Sequence, residues 1–129
     1  MTSSTRILIV DDEKPIVTLL AQTFEQEGHE VATAKDGIDC MNQMAAFRPD
    51  VVIMDIMMPK LDGVDTTRLI RRNSNYAGTL IVALSARSDD ETRERMKDAG
   101  ANVFMRKPFV IAKLIDRVSS LLSTRSGSR

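Results

Sequence analysis

Apolar residues recur along this chain in two alternating rhythms. Short unbroken runs, Ile7-Leu8-Ile9-Val10 and Val51-Val52-Ile53-Met54, read as strands buried on both faces, while stretches between them place apolar residues at helical spacing. The first strand, Arg6 to Val10, ends in Asp11-Asp12. Pro15 then opens a helix through Ile16, Leu19, Leu20, Thr23 and Phe24, which Gly28 stops. Residues 29–34 predict a second strand. Asp36 caps a helix through Met41, Met44, Ala45 and Phe47, and Arg48-Pro49 ends it before the strand that closes at Asp55.

Asp62-Gly63 starts a third helix carrying Val64, Leu69 and Ile70. Residues 79–84 form a fourth strand running out at Ser85, with Ser88 placed to cap the next helix. That fourth helix, from Asp89 to Asp98, offers only Met96 and Ala99 as clear apolar contacts within a run of charges, so its buried stripe is thin. Residues 101–105 predict a fifth strand. Lys107-Pro108 joins it to a last helix with Val110, Ile111, Leu114, Ile115, Val118, Leu121 and Leu122, and residues 123–129 read as a frayed polar tail. Strands alternating with helices predict an α/β fold with a parallel sheet.

Composition narrows the function. At 129 residues the chain fits one domain. Eighteen Lys plus Arg balance eighteen Asp plus Glu, so no global basic field exists to hold nucleic acid or an anionic membrane. With no Trp and one Tyr there is little for base stacking. No apolar run reaches membrane-spanning length, and residues 1–5 lack a signal-peptide core, which predicts a cytoplasmic protein. Cys40 stands alone, excluding an internal disulfide, and reads as a core or boundary residue. His29, at the turn into a strand, reads as structural or exposed.

Right-handed crossovers put the carboxyl ends of parallel strands on one edge of the sheet, gathering Asp11, Asp12, Asp55, Ser85 and Lys107. Clustered carboxylates repel, and a Mg²⁺ (or Mn²⁺) ion relieves them through hard oxygen ligands. Lys107 and Ser85 add an ammonium and a hydroxyl suited to phosphoryl oxygens, which leaves one carboxylate as nucleophile. Each piece has a plainer reading: Asp12 could cap the first helix, Lys107 could be a solvated loop residue, and Asp62 is turn or cap chemistry. Met54, Met57, Met58 and Met105 read as core or pocket-rim packing, since Mg²⁺ rejects thioether.

Asp11-Asp12, Asp55 in Asp55-Ile56-Met57-Met58-Pro59-Lys60-Leu61-Asp62-Gly63, Ser85-Ala86 and Lys107-Pro108, in this order at successive strand ends, resemble the receiver domain of two-component response regulators from about Arg6 to Leu122. The resemblance implies a flavodoxin-like (βα)5 three-layer sandwich with sheet order 2-1-3-4-5, a receiver domain over residues 1–122, and a Lys107-Pro108 bond in the cis form. It further implies that Asp55 is the phosphoacceptor, that Asp11, Asp12, Asp55 and the Met57 backbone carbonyl hold Mg²⁺, and that Ser85 and Lys107 bind the phosphoryl group. Ser85 and Phe104 would form the switch, and Met57 and Arg87 would tune phosphoryl lifetime. Ser85 stands where relatives often carry Thr, and Phe104 has a ring without the phenol of a Tyr.

The implied partners are a sensor histidine kinase or phosphotransfer protein, and a downstream protein bound at the surface of the fourth helix, fifth strand and fifth helix. The implied state is a monomer or a weak phosphorylation-dependent dimer, with no nucleic acid or membrane partner. Such a protein is a signalling receiver rather than an enzyme, catalysing only its own phosphorylation and dephosphorylation. Two other classes compete. A Mg²⁺ phosphohydrolase of the haloacid-dehalogenase type would need a different strand-one motif from Asp11-Asp12-Glu13-Lys14, and a phosphorylation-independent interaction module would not need all five site residues. No Gly-rich loop follows the first strand to support nucleotide binding.

Overall fold

The computed structural model describes residues 5–58, 60–87 and 89–127, with the backbone alone at 125–127. Five parallel strands, β1 (Arg6–Val10), β2 (Glu30–Ala34), β3 (Val51–Asp55), β4 (Leu80–Ser85) and β5 (Val103–Arg106), lie in the order β2-β1-β3-β4-β5. Helices α1 (Lys14–Gln26), α2 (Gly37–Phe47), α3 (Gly63–Arg72), α4 (Asp90–Ala99) and α5 (Ile111–Gly127) connect and cover them. The parallel α/β sheet is the one expected from the strand and helix alternation, and its order is the flavodoxin-like one that the receiver-domain resemblance implies. The order reverses between β1 and β3, and a ligand crevice opens at that point in such sheets.

The unbroken apolar runs follow from coverage on both faces. Ile7, Ile9, Ile53, Val82 and Leu84 face α1 and α5, where Leu20, Phe24, Leu114 and Val118 meet them. Leu8, Val10, Val52, Met54 and Ile81 face α2 and α3, against Cys40, Met44 and Ile70. A smaller cluster of Ile56, Val64, Ala83, Met96 and Ala99 seats α4. Burial pushes the Cys40 thiol up to about 12, so it is an inert packing group. The His29 ring lies tilted against that of Phe24, with centroids 6.0 Å apart, and partial burial lowers its pKa.

Local chemistry sets the helix starts. Asp36 and Asp62 each accept a hydrogen bond from the backbone N–H three residues on, at 2.8 and 2.9 Å, closing α2 and α3. Helix α4 is capped by Asp89, whose carboxylate takes both the N–H and the hydroxyl of Thr92; Ser88, the expected cap, lies outside the described residues. A short 3-10 turn, Ser74–Tyr76, precedes β4.

The last strand starts at Val103, two residues later than expected, because Asn102 bonds Ile81 through both its backbone N–H and its side-chain oxygen. Val110, counted with the last helix, precedes it and is exposed. Helix α5 continues to Gly127, past the expected boundary at Leu122, since each further residue adds a backbone hydrogen bond to a turn already formed. The rest of the expected tail, residues 128–129, lies outside the described residues. Among the described residues no helix is long and apolar enough to cross a membrane.

Candidate functional site

The strand register brings the site together. Asp55 ends β3 opposite Leu84, Ser85 ends β4 opposite Arg106, and the Lys107 backbone N–H donates to the Ser85 carbonyl at 2.8 Å. Asp11 follows β1, where its backbone N–H bonds Ala34 and its Oδ1 accepts from the Glu13 N–H at 2.9 Å. That turn aims the other oxygen at the crevice. Carboxylate oxygens of Asp11, Asp12 and Asp55 all lie within 4.8 Å of one another.

Asp11 and Asp55 are buried, whereas Asp12 is exposed. Asp12 does not cap α1: the cap position is Glu13, without a side-chain hydrogen bond, and Pro15 sets the first turn. Lys107 enters across a cis bond to Pro108. Its ammonium Nζ stands 3.0 Å from Asp11 Oδ2, 3.5 Å from Asp55 Oδ1 and 3.4 Å from Glu13 Oε1. With its side chain only 13% exposed, Lys107 is far from a solvated loop residue.

Burial, followed by the charge of Asp11, pushes the Asp55 carboxyl up to about 6, against the opposing pull of Lys107 and the Met57 backbone N–H. Burial alone would lower Lys107, but its hydrogen bond to Asp11 and the charges of Asp55, Asp11 and Glu13 raise it. The result is a charge-frustrated cradle with one cation among several carboxylates. The set is all hard oxygen and fits a small divalent cation, which would supply the positive charge that one lysine cannot.

The remaining predicted residues differ in burial and in partners. Ser85 is fully buried, and its Oγ accepts from the Arg87 N–H at 3.0 Å. The Arg87 side chain turns away to pair with the α4 cap, Nε to Asp89 Oδ1 at 3.5 Å. Met57 is 54% exposed and forms rim, while Met54 is core. Phe104 packs on the α4 cluster beside Ala83, with the Arg93 guanidinium over its ring at 4.8 Å.

Three neighbours of the candidate residues carry little in the sequence pattern that would single them out. Glu13 belongs to a readable acidic run, but its meeting with Lys107 spans 94 positions. Arg93 lies in the charged run of the fourth helix, where nothing in the sequence sets it apart. Gly63 sits where a Cβ would lie 2.6 Å from the Asp55 carbonyl oxygen and 2.7 Å from Ile56 Cα, so the start of α3 presses directly on the phosphoacceptor candidate's backbone. A glycine just after a capping Asp was the available signal.

Known proteins share both the sequence and the shape. A family model described as the response regulator receiver domain matches residues 7–119. The transcriptional regulatory protein PrrA of Mycobacterium tuberculosis is 38% identical over 126 residues, 98% of this chain and 53% of that protein. The chain thus spans about half the length of such relatives. The Vibrio cholerae chemotaxis protein CheY4 superposes with a TM-score of 0.87 at 29% identity, covering 92% of this chain and 99% of that one. A CheY-like receiver domain protein of Methanospirillum hungatei gives a TM-score of 0.92 at 23% identity, covering 98% of this chain and 100% of that one, a likeness of fold alone.

Proposed function

Because this chain belongs to the response regulator receiver domain family, we propose that Asp55 accepts a phosphoryl group from a phosphohistidine on a sensor kinase or phosphotransfer protein and thereby switches a partner-binding surface. The observation that carries this reading is the Lys107 ammonium lying 3.5 Å from Asp55 Oδ1 and 3.0 Å from Asp11 Oδ2 in a buried acidic crevice. A carboxylate at a strand tip, beside a lysine and two further acids, is equipped for in-line attack on phosphorus.

In that step a carboxylate oxygen of Asp55 forms a bond to phosphorus as the phosphorus–nitrogen bond breaks, and the imidazole leaves. Asp11, Asp12, Asp55 and the Met57 carbonyl would hold Mg²⁺ or Mn²⁺, which when bound neutralises developing charge on the phosphoryl oxygens. Lys107 keeps its ammonium beside Asp55 and pairs with a phosphoryl oxygen. The Ser85 hydroxyl, whose oxygen accepts from the Arg87 N–H, donates its own proton to another phosphoryl oxygen. Hydrolysis by water later restores the carboxylate, with exposed Met57 and Arg87 governing access.

The downstream signal is a population shift at the surface of α4, β5 and α5, with Ser85 and Phe104 moving together. Relatives such as PrrA are about twice as long, so this chain's share of any transcriptional output is the phosphoryl-controlled input. The stretch described works in the cytoplasm as a monomer or a weak phosphorylation-dependent dimer, and it does not itself contact nucleic acid or membrane.

Incubation with a small acyl phosphate and Mg²⁺, followed by intact mass and peptide mapping, tests the reading. One adduct on Asp55 is expected. Donor turnover without an adduct would favour a phosphohydrolase, and no reaction would favour a phosphorylation-independent module.

A further inference from the structure

Helix α4 is held unevenly along its length. At its C-terminal end the Gly100 N–H bonds the Met96 and Lys97 carbonyls, and Arg71 donates from Nε to the Gly100 carbonyl at 2.9 Å. Arg71 Nη2 also reaches Asn102 Oδ1 at 3.0 Å, the same oxygen that takes the Ile81 N–H at 2.8 Å. These bonds tie the helix end to α3 and β4. The apolar contacts, Met96 and Ala99, lie in that same half. The first turn instead carries charges, the Asp89 cap and buried Thr92.

Arg93 is the first-turn side chain that reaches β5. Its Cζ stands 4.8 Å from the Phe104 ring centroid, and among the described residues no carboxylate lies within ion-pair distance of it. The guanidinium has therefore taken a π face while acidic residues are plentiful on its own helix. Phe104 pairs with Ala83, and Ser85 follows two positions along the same face of β4. The side chain beside the ring, toward Ser85, is only a methyl.

We propose that Arg93 is a latch: its cation–π contact holds the Phe104 ring at the seam between α4 and β5, and with it the N-terminal half of α4 against β5, with the helix hinged at its Arg71-bound end. This rests on the reading of Asp55 as phosphoacceptor and Phe104 as its reporter. A ring turned toward Ser85 leaves the guanidinium, so the latched arrangement opposes the phosphorylated one. Arg93 is a positioning residue that acts through the ring and touches no reacting atom.

A latch lowers the apparent affinity of any ligand selecting the unlatched state, in proportion to how rarely that state is populated. Titration of the full chain with beryllium fluoride at saturating Mg²⁺, followed by ¹⁹F resonance, reads this directly. Arg93→Met is expected to tighten apparent binding by about two- to fivefold, the span of an exposed cation–π contact. Arg93→Lys, which keeps a cation over the ring, should change it less. In a Phe104→Leu background the Arg93→Met step should have no effect. An equal gain in both backgrounds, or none in either, overturns the latch. The wild-type adduct separates the two ideas: if wild type binds no beryllium fluoride, both fail, whereas a wild-type adduct with unchanged Arg93→Met affinity defeats the latch alone.

Discussion

Lys107 Nζ and Asp11 Oδ2 sit 3.0 Å apart although 96 positions separate the two residues, and both side chains are largely withdrawn from water. The pair joins the end of β1 to the end of β5 across Asp55. It sets one buried cation among the carboxylates of the crevice.

Lys107→Met should therefore destabilise the metal-free protein by about 2–4 kcal/mol at neutral pH, because it leaves buried carboxylates without their cation. Added Mg²⁺ should recover a good part of the loss by binding the folded form. Urea unfolding with and without Mg²⁺ checks this. A loss of the same size under both conditions would mean that Lys107 serves packing alone.

Asp55→Asn should stabilise the metal-free protein at pH 7.5 while abolishing the phosphoryl adduct. Asp55 has a folded pKa of about 6, above its unfolded value, so the native state holds the proton more tightly. Stability is thus favoured below the unfolded pKa and declines as pH rises toward 6; above that the buried charge costs on the order of 2–3 kcal/mol. The gain from Asn should shrink toward zero by pH 4. Equal stabilities at pH 7.5 would contradict the raised pKa.

Asp11→Ala and Asp12→Ala should each weaken Mg²⁺ binding by roughly tenfold or more, through a lost ligand or lost orienting charge. They should differ without metal. Asp12 is exposed and its removal should leave stability within about 0.5 kcal/mol, whereas Asp11 supports both Lys107 and the Glu13 N–H. Calorimetric metal titration that finds wild-type affinity in both variants would dismiss the acidic crevice as a metal site.

Gly63→Ala should cost about 1–3 kcal/mol and weaken Mg²⁺ binding together, since the new methyl meets the backbone of Asp55 and Ile56, which yields only by moving the site. Unfolding and metal titration on one sample check it. Wild-type values in both would show that the start of α3 gives way freely.

Beryllium fluoride with Mg²⁺ should perturb amide signals in residues 86–107 more than in α1 and α2, leaving aside residues that touch the site. Changes confined to the metal surroundings would make the domain a phosphate sink with no surface output.

Sequence alone determined the sheet and the gathering of its chemical tips. Runs such as Ile7 to Val10 and Val51 to Met54 need two covered faces, and covered parallel strands with right-handed crossovers place Asp11, Asp55, Ser85 and Lys107 along one edge. The caps Asp36 and Asp62 were legible too, because a cap bonds within three residues of itself. Tertiary structure decided what depends on side-chain direction across elements. It left Asp12 exposed while burying Asp11, chose Asp89 to cap α4, delayed β5 until Asn102 had bonded Ile81, and set Glu13 beside Lys107 and Arg93 over Phe104. These outcomes rest on which way a residue points once helices are docked, and a linear pattern carries that information only for neighbours a turn or a strand pair away.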